Sequence, residues 1–188
     1  MRNGSLNVLS LDPGGHTGWA CYSAEVITTG PELHQAEFHN EKITQGQLGP
    51  EKHHLALWDL LGTMHTTNYY IVCESFEYRQ DQRPNVVLVS KEYIGVVELF
   101  TQERNKTLPH GSEVVHVPQT AAYGKGFWYP PVAGRRGARD GSKLKWLGLH
   151  STTTNGHHIN DATAHLLQFL TEGPFKQSQW YRKIKDMP

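Results

Sequence analysis

The chain has little of several features that would assign it to particular classes of protein. Its two cysteines, Cys21 and Cys73, are too few for a disulfide framework, and both fall in apolar runs, so we expect them to be reduced and buried. No apolar run approaches the roughly 18 residues needed to cross a bilayer. Met1–Gly4 lead straight into an apolar run rather than a signal-peptide core. We therefore expect a soluble, cytoplasmic protein with no membrane partner.

The chain also lacks net charge. Lys and Arg together number 18, as do Asp and Glu, so no overall basic field points to nucleic acid. The basic residues are nevertheless clustered. One short segment holds Arg135, Arg136, Arg139, Lys143 and Lys145, and the C-terminal tail holds Arg182, Lys183 and Lys185. Such local patches can contact phosphates although the whole chain is neutral.

Asp12 stands at the end of the apolar run Val8–Leu11. It is followed by Pro13-Gly14-Gly15 and then by a second apolar run that begins at Trp19. The pattern predicts a strand, a tight turn and an antiparallel strand. Burying an ionised carboxylate is costly unless it is paired or coordinates a cation. Asp12 is therefore either a metal ligand or the start of an Asx-type turn.

Two further segments carry carboxylates in comparable settings. The run that starts at Tyr69 predicts another strand and ends at Glu74, and the sequence near the C-terminus predicts a helix on which His158, Asp161 and His165 share one face. Mg²⁺ prefers oxygen ligands from a few carboxylates. Two such ions can act together on the attacking and leaving oxygens of a phosphoryl transfer. A zinc site made by the three helical residues is an alternative that leaves Asp12 without a role.

These segments together resemble RuvC-type Holliday junction resolvases of the RNase H-like nuclease superfamily. The resemblance rests on Leu11-Asp12-Pro13-Gly14 with Thr17-Gly18 after it, on Glu74, and on His158-x-x-Asp161-Ala162, and it covers roughly residues 5–171. It implies an endonuclease that hydrolyses DNA phosphodiesters with two Mg²⁺ or Mn²⁺ ions, most simply resolving Holliday junctions by paired nicks. The implied catalytic and metal-binding residues are Asp12, Glu74, His158 and Asp161.

The resemblance also bears on partners and metal preference. Its substrate would be branched DNA, and the two-fold symmetry of a four-way junction favours a homodimer. His158 stands where some members of the family have Asp. Because a histidine lowers the negative charge of the site and adds a nitrogen ligand, we expect activity with Mn²⁺ at least equal to that with Mg²⁺. Whether the chain is of cellular or phage type stays open.

The patterns along the chain predict a single α/β domain over residues 1–188, with a mixed five-stranded sheet flanked by helices. The resemblance implies that this is the RNase H-like fold, followed by a basic tail at 172–188. Strands are predicted at 5–12, 17–23, 35–45, 69–74 and 113–117. Helices are predicted at 51–65, 85–103, 143–149 and 159–171.

Two segments are predicted to contact DNA. Residues 124–142 are rich in glycine and proline and predict a loop, in which aromatic rings would stack on bases and basic side chains would pair with phosphates. The alternative is a surface excursion anchored by Trp128-Tyr129-Pro130. The contacts predicted in this segment and just after it are Trp128, Arg135, Arg136, Arg139, Lys143 and Lys145. By resemblance, a second set follows Glu74, namely Phe76, Tyr78, Arg79 and Arg83.

Other functions share parts of this pattern. An ATPase of the actin-like and sugar-kinase fold also begins with a strand, an Asp and a glycine-rich turn, but it needs a duplicated domain and a second phosphate loop. A non-catalytic DNA-binding module would not need all four candidate ligands. A related RNase H-like nuclease acting on flaps, forks or RNA–DNA hybrids stays open, because fold and metal site do not fix the substrate.

Overall fold

A computed structural model describes residues 2–28, 36–49, 53–63, 68–75, 84–109, 112–134, 138–172 and 174–187 of the chain. In this part of the chain the strands are β1 (Arg2–Asp12), β2 (Thr17–Thr28), β3 (Ala36–Leu48), β4 (Asn68–Glu74) and β5 (Glu113–Gln119). The helices are α1 (His53–Thr63), α2 (Pro84–Thr107), α3 (Ala121–Trp128), α4 (Ser142–Trp146), α5 (Gly156–Glu172) and α6 (Gln179–Lys185). A short 3-10 helix, Pro174–Gln177, precedes α6.

The strands form one sheet in the order β3-β2-β1-β4-β5. The first three strands pair antiparallel, whereas β4 pairs parallel with β1 and β5 pairs parallel with β4. The predicted α/β class with a mixed five-stranded sheet is therefore confirmed. Because β1 is the central strand, its last residue, Asp12, lies midway across the sheet, at the edge formed by the ends of the strands.

Apolar side chains cover both faces of this sheet. Because successive strand residues point to opposite faces, Leu6 and Val8 of β1 face one side and Leu9 and Leu11 face the other. On the first side, α5 supplies Leu166, Leu167 and Leu170, and the C-terminal segment adds Phe175 and Trp180. On the second side, α1 and α2 supply Leu57, Leu61, Tyr93, Val97 and Phe100. The predicted tail at 172–188 thus contributes two aromatic side chains to the core.

The prediction of a loop over residues 124–142 is wrong at its start, because α3 extends to Trp128. The glycine that favoured a loop serves helix packing instead. A Cβ atom on Gly124 would lie 2.5 Å from Nδ1 of His165, so only glycine lets α3 approach α5 this closely. Beyond α3, an antiparallel bridge joins Pro131 to Arg139 before α4 begins.

Strand β5 also continues past its predicted end at Val117. Pro118 pairs with Cys73 of β4 and Gln119 pairs with Glu74. Because β5 is an edge strand, the N–H that proline lacks is not required by a further neighbour. The two extra residues matter for the site, since they bring Gln119 beside Glu74.

The cysteines behave as the sequence predicts. Cys21 and Cys73 are free and buried. Burial raises the pKa of the Cys21 thiol to about 12 and raises that of Cys73 as well. Among the residues that the structure describes, none of the helices combines the length and the hydropathy of a membrane span.

Candidate active site

Two carboxylates lie side by side where β1 and β4 end. The two strands run parallel with Leu11 opposite Cys73, so the residues that follow, Asp12 and Glu74, meet at the same edge of the sheet. The turn after Asp12 is held by the hydroxyl of Ser90, which donates to the carbonyl oxygen of Pro13 over 2.9 Å. The side chain of Asp12 is only 9% exposed and that of Glu74 is 19% exposed.

The first turns of α5 bring two more polar side chains to this edge. The helix starts at Gly156, which places His158 and Asp161 near its N-terminal end. The helix can approach β2 because Gly18 has no side chain: a Cβ atom there would lie 2.0 Å from the carbonyl oxygen of His158. The preceding chain is fixed by Asn160, whose side-chain amide exchanges two hydrogen bonds with the backbone of Ser151.

The ammonium group of Lys125 lies between three carboxylates. Its Nζ is 3.0 Å from Oδ1 of Asp12, 2.5 Å from Oε2 of Glu74 and 2.8 Å from Oδ2 of Asp161. The lysine comes from α3 and its side chain is 11% exposed. We call Asp12, Glu74 and Asp161 the carboxylate cluster. It draws on β1, β4 and α5, elements far apart in the sequence, with α3 supplying the cation.

Two histidines lie at the periphery of the carboxylate cluster, and each contacts one of its members. Nδ1 of His158 lies 2.8 Å from Oδ2 of Asp12. His165 is fully buried, with Nε2 at 3.2 Å from Oε2 of Glu74 and Nδ1 at 2.9 Å from Oε1 of Gln119. Since both ring nitrogens of His165 are engaged, the ring fixes the position of Glu74 relative to α5 and β5.

Burial and nearby charges shift the pKa values of the groups in this site in opposite directions. Burial has the largest influence on Asp12 and raises the pKa of its carboxyl to about 6, although the hydrogen bond with His158 and the charge of Lys125 act in the opposite direction. Burial would also raise the pKa of Glu74, but contacts with His165, Asp12 and Lys125 outweigh it and hold that pKa well below its usual range. Burial disfavours the charged form of Lys125, yet the three carboxylates outweigh it and raise the pKa of the ammonium.

The donors in this site fit a divalent cation. The carboxylate cluster offers oxygen atoms, which hard cations prefer. Oδ1 of Asp161 is buried with no hydrogen-bond partner among the described residues, and such an atom is costly to bury unless something satisfies it. In the described conformation, however, Nζ of Lys125 fills the space between the carboxylates. No group of three or more His, Cys, Asp or Glu side chains in the described ranges is arranged to hold a metal ion.

The structure brings together all four residues of the predicted catalytic set, Asp12, Glu74, His158 and Asp161. The alternative zinc site is wrong. His165 does not join His158 and Asp161 in a common site, because its two nitrogens face Gln119 and Glu74.

The predicted DNA contacts have mixed outcomes. Trp128 is 1% exposed and its Nε1 donates to Gln168, so its assignment as a DNA contact is wrong and it anchors α3, as the alternative interpretation expects. Its neighbour Phe127 is 52% exposed, with Nζ of Lys143 at 3.1 Å from its ring centroid. Arg139 and Lys145 are exposed. The remaining contacts lie outside the described residues, namely Phe76, Tyr78, Arg79, Arg83, Arg135 and Arg136.

Sequence reasoning missed Lys125 and left His165 out of the catalytic set. For Lys125 the sequence offers no signal of its own: Gly124 and Trp128, four residues apart as on one face of a helix, indicate only the buried side of α3. For His165 the signal was its spacing of four residues from Asp161. Neither pattern identifies the carboxylate that the side chain contacts, because that depends on how α3 and α5 pack.

Comparison with solved structures finds that this chain is similar to Holliday junction resolvases. RuvC from Thermus thermophilus in complex with a Holliday junction substrate is similar at 15% identity over 86% of this chain and 91% of that chain, with a TM-score of 0.43. A second T. thermophilus RuvC structure has 20% identity over 86% and 92% of the two chains, with a TM-score of 0.42. The yeast mitochondrial Holliday junction resolvase Ydc2 has 12% identity over 95% and 80%, with a TM-score of 0.44.

These similar structures are resolvases of the kind that the sequence resembles. No protein-family model matches the chain, and no curated protein matches it either. A likeness at these identities concerns the fold and not what this chain binds or cuts. Its chemistry is therefore inferred from its own residues.

Proposed function

We propose that this protein is a metal-dependent endonuclease that hydrolyses DNA phosphodiesters in branched DNA, most simply resolving Holliday junctions by paired nicks. One observation carries the proposal: three carboxylates from β1, β4 and α5 converge within contact of a single cation. The unpartnered Oδ1 of Asp161 supports a further cationic ligand at the same place. A structural salt bridge needs one carboxylate for one lysine, whereas a cluster of three is typical of sites for hard cations.

The residues of the site would have different roles in this reaction. The carboxylate cluster would hold the metal, with Asp12 facing both Glu74 and the N-terminal end of α5. Two bound ions would activate the attacking water and neutralise the charge that develops on the leaving 3′ oxygen. His158, whose Nδ1 lies 2.8 Å from Asp12, would add a nitrogen ligand to the cluster, and His165 orients Glu74 from outside it. Such outer contacts fix the direction of ligand oxygens and raise the precision of a metal site.

The surface beside α3 supports contact with nucleic acid. The exposed ring of Phe127 lies under the ammonium of Lys143, and Trp146 of α4 is 49% exposed. Exposed aromatic rings next to basic side chains suit stacking on bases and pairing with phosphates. Phe127 therefore replaces Trp128 as the aromatic residue that we propose for DNA contact in this segment.

A homodimer remains part of the proposal because two symmetric nicks require two active sites. Helix α2 offers an interface, since Leu99 on its surface is 52% exposed. Its apolar side chains Tyr93 and Val97 face the core of the same chain, so the interface would use the opposite side of the helix.

The test is cleavage of a labelled synthetic four-way junction, with flap, fork, RNA–DNA hybrid and linear duplex substrates beside it, in Mg²⁺ and in Mn²⁺. The wild type is compared with Asp12→Asn, which removes a carboxylate charge with little change of shape. Paired, symmetric nicks on the junction that disappear in the variant are the expected result.

Two other results would change the proposal in different ways. Cleavage of flaps, forks or hybrids in place of junctions would retain the metal site and replace the substrate. Binding of branched DNA by folded protein without any cleavage would show a non-catalytic DNA-binding module.

A further inference from the structure

Lys125 occupies the position in which a metal ion would be expected. Its Nζ contacts all three members of the carboxylate cluster at distances between 2.5 and 3.0 Å. It comes from α3, which packs directly on α5 because Gly124 has no Cβ atom to meet His165. The ammonium is therefore delivered to the cluster by the packing of a helix and not by a surface loop.

The charges in the site are unbalanced. Three carboxylates face one ammonium, and one oxygen of Asp161 has no partner in the described part of the chain. Burying a charge is costly unless it is paired. Without Lys125, the three buried carboxylates would also repel one another. With Lys125 the cluster is held together, but three carboxylates still share one lysine ammonium. A divalent cation would compensate their charge more completely than an ammonium does.

We propose that Lys125 is an internal counter-ion that keeps Asp12, Glu74 and Asp161 together before metal binds, and that a divalent cation must displace its ammonium from between them. The inference rests on the proposed metal-dependent function. The long, flexible stem of lysine allows the ammonium to leave while α3 stays in place. Metal affinity is then set by a competition within the protein, and removal of the competitor strengthens binding.

A purely structural role for Lys125 makes a different prediction. A fixed salt bridge would hold the cluster in the same shape with or without metal. Removal of the lysine would then loosen the site and weaken metal binding or leave it unchanged. The sign of the change in metal affinity therefore separates the two roles.

The test is calorimetric titration of Mn²⁺ into the wild type and Lys125→Met, which keeps an unbranched side chain one atom shorter than lysine and removes its charge. Lys106→Met is the matched control, because Lys106 is an exposed lysine whose partner, Glu103, is also exposed. We expect Kd for Mn²⁺ to fall at least tenfold in Lys125→Met and to stay unchanged in Lys106→Met. An unchanged or higher Kd in Lys125→Met would overturn the inference while leaving a metal-binding site in place.

Failure of the proposed function gives a different result. If neither the wild type nor Lys125→Met binds Mn²⁺, the metal-dependent activity is refuted, and the competition is refuted with it. If both bind with the same Kd, the metal site stands and only the role of Lys125 is refuted.

A second measurement uses the wild type alone and does not depend on the folding of the variant. Lysine acylation is followed by mass spectrometry with and without Mn²⁺, with Lys106 as the internal reference. We expect acylation of Lys125 to increase when Mn²⁺ is present, because its ammonium leaves the buried cluster. Acylation that stays low or falls in Mn²⁺ would show that the lysine remains in place and would overturn the inference.

Discussion

Replacement of Gly124 by alanine tests the contact between α3 and α5 that delivers Lys125 to the site. The added Cβ atom would lie 2.5 Å from Nδ1 of His165, 2.9 Å from its Cγ and 3.0 Å from its Cα. The ring of His165 cannot move freely, since both of its nitrogens are bonded. Overpacking of this kind costs about 1–3 kcal/mol.

The same helix provides a matched control. Gly126 is exposed in α3, and a Cβ atom there would meet nothing within 4 Å. Alanine favours a helix over glycine by about 1 kcal/mol at either position, so the propensity gain cancels when the two variants are compared. We therefore expect Gly124→Ala to be about 1–3 kcal/mol less stable than Gly126→Ala.

Urea denaturation of the two variants and the wild type measures this difference directly. Gly126→Ala should be as stable as the wild type or slightly more stable, and Gly124→Ala should be clearly less stable. Equal stability of the two alanine variants would refute the close packing of α3 on His165. The delivery of Lys125 by that packing would then lose its support.

Three other predictions concern the site itself. Because burial raises the pKa of Asp12 to about 6, its carboxyl holds a proton below that pH, and metal binding has to release it. Affinity for Mn²⁺ should then fall by roughly tenfold per pH unit below 6 and level off above it, and an affinity that is constant from pH 5 to 8 would contradict this. Gly18→Ala should reduce cleavage strongly, because its Cβ atom would overlap the carbonyl oxygen of His158 at 2.0 Å, whereas Gly15→Ala, with nothing within 4 Å, should cut like the wild type. Junction cleavage in Mn²⁺ should be at least as fast as in Mg²⁺ at matched concentrations, and a clear preference for Mg²⁺ would count against His158 as a ligand.

The sequence predicts the structure correctly where the pattern of residues along a short segment determines it. Apolar runs that end in Asp12 and Glu74 predict two strand ends, and the parallel pairing of β1 and β4 then brings the two carboxylates together. Asp161 follows from the helical spacing of α5. These elements have strong local patterns, so the predicted mixed sheet is confirmed and the four residues of the predicted catalytic set lie together.

The sequence does not predict those features that depend on how one helix packs against another. The glycine and proline residues of this segment predict a loop and so conceal α3 from a sequence-based prediction. In the structure, Gly124 allows close contact with His165 and does not form a turn. Which of two adjacent aromatics is buried depends on the side of α3 that meets α5, and it is Trp128 and not Phe127. The position of Lys125 follows from the same packing and has no local signature.

The most direct test of the carboxylate cluster as a catalytic metal site is the rate of four-way junction cleavage by Asp161→Asn. The control is Asp59→Asn, since Asp59 is an exposed carboxylate on α1. Loss of a residue that only supports a metal ligand typically lowers activity by about 10–100-fold, so loss of a ligand should lower the rate by about 100-fold or more. We expect that decrease for Asp161→Asn, with the wild-type rate kept in Asp59→Asn. Cleavage by Asp161→Asn at the wild-type rate would contradict it.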